Sequence, residues 1–281
     1  MNDSFAHANK GILYVCATPI GNLEDITLRV LRVLGEVDLI AAEDTRHTAK
    51  LLNHYEIKTK VTSYHENNKD SKGLYLLEKL AGGSSVALVT DSGMPCISDP
   101  GRELVALCHD NGISVTVCPG ASAGLAALVL SGFDARPHVF EGFLPRTGSA
   151  RKKILVGVAG EKRTMVFYEA PHRLLATLED LGKALGDREM ALVREITKKF
   201  EEVAHGKISE IAGLYKDKVP KGEFVLIIKG AEGIAAEYPE DLGEHLGKYV
   251  SQGYNEKEAM KMVAGDRGLA KSQIYNELKR K

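Results

Sequence analysis

Short apolar, β-branched runs alternate with helical patterns along most of this chain, and that rhythm leaves few folds open. ILYVCA begins at Ile12, TLRVLRVL at Thr27, DLIAAE at Asp38 and TAKLLNHY at Thr48. VALVTD at Val86, RELVALCHDNG at Arg102, ISVTVCPG at Ile113 and ASAGLAALVLSG at Ala121 continue it. Runs that are apolar throughout suit strands covered on both faces, and helices between them supply the cover, so the pattern predicts an α/β fold with a largely parallel sheet. Four strand and helix pairs are legible before residue 135.

The rhythm breaks over residues 133–146, where Pro137 and Pro145 interrupt it, and a second α/β series follows. That series comprises RTMVFYEAP at Arg163, a helix from His172 to Leu185, EMALVREIT at Glu189, a short helix after Lys207 and GEFVLIIKG at Gly222. Its strands alternate less regularly with helices, which predicts a mixed sheet. After Gly233 only helices are legible. Asn255 and Glu258 form a capping-box pattern for a helix running to Ala264, Gly265 to Gly268 reads as a turn, and Ala270 to Lys279 as a second helix. Met260, Val263, Leu269, Ile274 and Leu278 are expected to face inward. The pair reads equally well as a helix-turn-helix hairpin or a plain helical brace. Three parts result: an N-terminal α/β domain over 1–135, a C-terminal α/β domain over 136–232, and a helical module over 233–281. A length of 281 residues suits two domains and an appendage.

With 37 basic against 38 acidic side chains, a polyanionic partner would have to be met by local patches. Arg146, Arg151, Lys152 and Lys153 form one such patch, free of acids, and the tail from Lys248 is the other. No apolar stretch approaches the roughly 18 residues of a membrane span, and the opening MNDSFAHANKG resembles neither a secretory leader nor a transit peptide. A cytoplasmic protein with no membrane partner is expected. Cys16, Cys96, Cys108 and Cys118 stand singly, as buried thiols do, and no His/Cys/Asp cluster has metal-ligand spacing.

Ligands of parallel sheets bind beyond the carboxyl ends of strands, which singles out three loops. Residues 17–25 follow the first strand, and here a capped turn would explain the residues equally well. Residues 91–101, DSGMPCISDPG, span eleven positions where about two to six are usual, and Gly93, Pro95, Pro100 and Gly101 stiffen them into a shaped loop. Residues 119–123, PGASA, place small side chains at a helix start, leaving backbone donors for a small molecule or room for tight packing. No GxGxxG fingerprint follows the first strand, and the stretch 157–164 has the wrong spacing for a P-loop. Among acid and base groups near strand ends, Glu169 and His172 are the best placed to act catalytically.

LYVCATPIGNLEDIT, AAEDTRHTAKLL, VTDSGMPCISDPG, CPGASAGLAALVLSGF, GFLPR, FYEAPHR and REITKKFEE, in that order, resemble the successive motifs of the ribosomal RNA small subunit methyltransferase I family. The resemblance runs from Leu13 to Lys229 and implies the tetrapyrrole-methylase fold of class III methyltransferases, with two α/β domains and a small C-terminal helical module. It further implies a homodimer that binds S-adenosylmethionine and methylates the ribose 2′-hydroxyl of a 16S rRNA cytidine near the ribosomal P site. Carried onto this sequence, the cofactor contacts would be Pro19, Ile20, Asp91, Ser92, Gly93, Met94, Ile97, Ser122, Ala123 and Tyr168. Arg146, Arg151, Lys152, Lys153, Arg173 and Lys271 are then expected to meet RNA phosphates of the small ribosomal subunit. Two rivals stand beside this reading: a methylase of the same fold acting on a tetrapyrrole precursor, and a non-catalytic RNA-binding protein.

Overall fold

The computed structural model describes residues 11–231, 239, 241–251, 254–267, 269 and 271–279. The opening segment 1–10 lies outside the described residues, as do Gly268 and Ala270 of the expected hairpin. The described residues form two compact units, 1–230 and 231–281.

Within the first unit the alternating runs become β1 (Ile12–Cys16), α1 (Leu28–Glu36), β2 (Leu39–Ala42), α2 (Thr45–His54), β3 (Val61–Ser63), α3 (Lys69–Ala81), β4 (Val86–Val89), α4 (Arg102–Asp110), β5 (Ser114–Cys118) and α5 (Ala123–Ser131). Five strand and helix pairs stand where four are legible, the extra pair being β3 and α3. All five strands are parallel, in the order β3-β2-β4-β1-β5. β4 shows why an unbroken apolar run is needed: Ala87 and Val89 pack on one face with α1, Val86 and Leu88 on the other with α3 and α4. The Thr27 hydroxyl accepts from the Val30 amide at 3.2 Å to start α1, whose Val30, Val33 and Leu34 turn inward.

β1 lies beside β4, yet the chain leaves them in opposite directions along the sheet, β1 toward β2 and β4 toward β5. That reversal opens a crevice beyond their carboxyl ends. The loops after β1 and β4 are laced together there, Thr18 and Gly93 exchanging backbone hydrogen bonds of 2.9 and 3.2 Å.

A second sheet comprises β6 (His138–Phe143), β7 (Thr164–Glu169), β8 (Glu189–Arg194), β9 (Glu202–Lys207) and β10 (Phe224–Ile228), with α6 (Gly148–Val158), α7 (Leu174–Leu185) and α8 (Ile208–Tyr215) between them. Its order is β6-β7-β10-β8-β9, parallel only between β6 and β7, so the sheet is mixed. Met165, Phe167, Leu192, Leu226 and Ile228 face α6 to α8. The alternate residues Val166, Ala191, Val193, Val225 and Ile227 face α5 through Ala127 and Leu128. The helix that ends the first series therefore lies under the second sheet. The segment 133–146 is not only a break but contains a strand, β6, whose bulge between Phe140 and Gly142 spoils its alternation.

The second unit holds α9 (Leu242–Ser251), α10 (Glu256–Arg267) and α11 (Lys271–Leu278), and α9 is not legible as a separate helix in the sequence. Asn255 and Glu258 do form the capping box, at 3.0 and 3.2 Å. Val263 and Ile274 are buried, with Met260 and Leu278 against them, but Leu269 is exposed. The expected turn at 265 is displaced, because α10 runs on to Arg267, whose guanidinium donates to His245 while Asp266 accepts from Tyr249. No helix among the described residues is long and apolar enough to cross a membrane.

Candidate active site

The crevice between the two sheets holds a cavity of about 470 Å³. Ile20 enters from the loop after β1, and Ser92, Gly93, Met94, Ile97, Ser98 and Asp99 from the loop after β4. Ser122 and Ala123 come from the start of α5. The second sheet contributes Phe143, Tyr168 to His172, Ile196 and Glu223 to Val225. Of the ten expected cofactor contacts, Ile20, Ser92, Gly93, Met94, Ile97, Ser122, Ala123 and Tyr168 meet here. Pro19 and Asp91 instead line a second cavity, also of about 470 Å³, which shares Ile20, Ser92 and Glu223 with the first.

The Tyr168 hydroxyl accepts from the Gly124 amide at 2.9 Å, while Phe140 and Phe143 set their rings edge-on to Tyr168 at 5.1 and 5.5 Å. A Cβ on Gly124 would stand 3.2 Å from that hydroxyl, so glycine permits the approach. Ser122 caps α5 by backbone conformation alone, leaving its hydroxyl and the first-turn amides of the helix beside the cavity. Cys96, at φ 71°, holds the loop after β4 in a conformation that non-glycine residues rarely adopt.

The cleft has an acidic lining. Burial, and then the nearby Glu43 and Asp91, push the Asp99 carboxyl up to about 6. Asp91 is also raised, chiefly by burial, although its carboxylate accepts from the Asp44 amide at 3.1 Å. Thr90 donates to Glu43 at 2.7 Å.

Glu169 and His172 both border the first cavity but differ in kind. The Glu169 side chain is wholly buried, takes hydrogen bonds from the Ala170 amide at 2.8 Å and the Thr177 hydroxyl, and lies 3.4 Å from the Arg173 guanidinium. A carboxylate so engaged braces the turn at 170–173. His172 is exposed at the edge of the cleft. Arg151 is 8% exposed and donates to Asp180 at 2.8 Å, the Pro145 carbonyl at 3.0 Å and Thr177 at 3.1 Å, so its guanidinium is turned inward. Arg173 is half-buried and donates to the carbonyls of Leu144 and Pro145. Arg146, Lys152 and Lys153 are exposed around the start of α6, and Lys271 is exposed on α11 of the second unit.

Sequence reasoning passes over Asp99, Phe143, Glu223 and, in the second cavity, His47, Lys50 and Lys198. Asp99 and Phe143 sit inside motifs that were singled out, so membership of the loop was the available signal. His47, Lys50 and Lys198 lie inside quoted motifs but carry no sign there of facing a cleft, and nothing local marks Glu223, which only the tertiary fold brings there. Among the described residues no group of His, Cys, Asp and Glu could hold a metal ion.

A cleft at the switch point of a parallel sheet, closed by a second mixed sheet, defines a two-halved α/β protein with a site for a small molecule. The profile described as Tetrapyrrole (Corrin/Porphyrin) Methylases matches residues 12–212. Uroporphyrin-III-C-methyltransferase from Thermus thermophilus shares the fold at a TM-score of 0.58 and 20% identity, covering 78% of this chain and 94% of that one. Diphthine synthase does so at 0.60 and 15%, covering 78% and 89%. Ribosomal RNA small subunit methyltransferase I of Halalkalibacterium halodurans is 47% identical over 95% of this chain and 94% of its own length. Its namesake in Bacillus subtilis is 46% identical over 96% and 94%. The chain belongs to the ribosomal RNA small subunit methyltransferase I family, within the tetrapyrrole methylases, and is a methyltransferase.

Proposed function

We propose that this enzyme transfers the methyl group of S-adenosylmethionine to the ribose 2′-hydroxyl of a cytidine in 16S rRNA, near the P site of the small ribosomal subunit. The observation that carries the reading is the convergence of eight resemblance-derived cofactor contacts, drawn from both halves of the chain, on one cleft. The cleft suits that cofactor. It has room for a small molecule of this size, backbone donors at the start of α5, the apolar walls of Ile20, Met94 and Ile97, and acidic groups that favour a cation.

When bound, S-adenosylmethionine supplies a methyl group on a positively charged sulfur, already activated for transfer. The chain's own residues supply position, and holding two reacting partners in line is worth roughly 7–11 kcal/mol. Tyr168 is fixed by Gly124 and two aromatic rings, and Ser122 and Ser92 present hydroxyls to the same space. As the acceptor oxygen gains a methyl group its proton must leave, and we assign its removal to His172, the exposed base on the cleft lining. Glu169 then acts through Arg173 and the turn it braces.

Arg146, Lys152, Lys153 and Lys271 are assigned to RNA phosphates. The division of labour follows the three parts near residues 135 and 232, with the helical module serving RNA contact. The apolar face of α5, with Leu125 at 56% and Val129 at 77% exposed, is assigned to a second copy of the chain. The enzyme is placed in the cytoplasm, with its substrate. Labelled methyl transfer to small subunits from cells lacking the protein tests the reading, with naked rRNA and a porphyrin precursor in parallel.

A further inference from the structure

Apart from Pro19, Asp91 and the residues it shares with the first, the second cavity is lined by side chains to which no role has been given. It adjoins the cofactor cleft at Ile20, Ser92 and Glu223, and its remaining lining is rich in polar and basic side chains. His47 and Lys50 stand three residues apart on α2, on one exposed face of that helix. Lys198 comes from the loop that joins β8 to β9.

That loop is built at a cost. Glu195 and Thr197 lie at φ 50° and 64°, conformations that L side chains rarely adopt. The Thr197 hydroxyl oxygen is buried without a hydrogen-bond partner. Backbone strain and an unsatisfied buried group in one short loop are features that functional sites retain. The surroundings hold the strain in place. Glu195 and Glu223 each accept from the Lys198 ammonium at 2.9 Å, and the Glu195 carboxylate also accepts from the Glu223 amide at 2.9 Å. Burial disfavours the Lys198 charge, yet the two carboxylates more than offset it and keep the ammonium protonated.

The loop also touches the other half of the molecule. At Gly21, φ +152°, an added Cβ would stand 2.4 Å from the Lys198 side chain and 3.0 Å from the Thr197 hydroxyl. Glycine there lets the loop after β1 press directly against the loop after β8, closing one wall of the cavity. Two residues beyond Lys198, Phe200 is 66% exposed, with the Lys199 ammonium 5.8 Å from its ring centre. An exposed ring beside cations is a surface on which an unpaired base stacks.

We propose that the second cavity seats the acceptor nucleotide: Lys198 positions its ribose toward the cofactor cleft, His47 and Lys50 take the flanking phosphates, and Phe200 stacks the neighbouring base. This rests on the RNA-methylation reading and deepens it. A cavity of about 470 Å³ has room for one extruded nucleotide. A nucleotide taken out of its stack needs a charged mouth and a stacking face, and this region offers both.

The test uses the full-length enzyme with small subunits from cells lacking it, comparing Lys50→Ala, Phe200→Ala, Lys198→Ala and Lys198→Arg with wild type. Lys50 and Phe200 are exposed, so loss of fold does not confuse their result. For each of these two the KM for subunits should rise about ten-fold, with S-adenosylmethionine affinity by calorimetry unchanged. Lys50→Ala should also flatten the log–log salt dependence of RNA binding by about 0.7–0.9, and Phe200→Ala should not. Lys198→Ala should lower kcat more than it raises KM, and Lys198→Arg should restore most of the loss. Unchanged KM in both exposed variants would overturn the proposal, as would a fall in cofactor affinity as large as the fall in RNA affinity. If wild-type enzyme binds the cofactor but methylates no RNA, the functional reading itself fails, an outcome these variants do not mimic.

Discussion

Asp99 shows how a single carboxyl can report on the cleft. A group whose folded pKa lies above its ordinary value binds its proton more tightly in the folded state, so it erodes stability as pH rises from about 3.8 to about 6. Asp99→Asn should therefore raise the melting temperature near pH 7.5, by about 1 kcal/mol of stability since water still screens part of the charge, and leave it unchanged near pH 3.5. The same substitution should weaken binding of cationic S-adenosylmethionine, and wild-type affinity should fall as pH drops through about 6. Calorimetry at several pH values checks both. Arg151 makes the complementary point. Arg151→Ala should cost about 2 kcal/mol in urea unfolding by leaving Asp180 without its guanidinium partner and the Pro145 carbonyl and Thr177 hydroxyl with one donor fewer, whereas Lys152→Ala should change stability by less than about 0.5 kcal/mol and weaken RNA binding instead.

Most strands were legible in the sequence in proportion to how deeply they are buried; β5, an edge strand read from its β-branched run, is the exception. β1, β2, β4, β7, β8 and β10 carry apolar residues on both faces and stand out. The three strands that do not stand out, β3, β6 and β9, all lie at the edge of a sheet, where one flank meets water and the residues are mixed. Loops that shape the cleft were legible because glycine and proline crowd them, but a partner that folds against them, Glu223, carries no local mark. Charge was the poorest guide. Arg151 shares a basic patch with Lys152 in the sequence, yet its guanidinium, like that of Arg173, forks into carbonyls and carboxylates inside the second half. At this scale α5 is the element to test. It is apolar on every face, and the second sheet covers only the side of Ala127 and Leu128. Leu125→Asp with Val129→Asp should give a folded monomer in sedimentation equilibrium where wild type is a dimer; a monomeric wild type would refute that assignment.

In the whole molecule, stability and recognition are assigned to different parts. α5, the last helix of the first series, packs against the second sheet together with Ile20 from the loop after β1, while residues 231–281 form a unit with a core of their own around Val263 and Ile274. Ending the chain after Gly230 should leave cooperative unfolding and S-adenosylmethionine affinity intact and weaken RNA binding, as measured by calorimetry and filter binding. The central claim is that the cleft at the switch point serves ribose methylation of small-subunit RNA, and it is tested most directly by incubating the enzyme with labelled S-adenosylmethionine and small subunits from cells lacking it. The account predicts label on one cytidine of 16S rRNA, retained after alkaline hydrolysis as a 2′-O-methyl dinucleotide and absent from a porphyrin precursor. Label on the porphyrin alone, or on a base rather than a ribose, would contradict it.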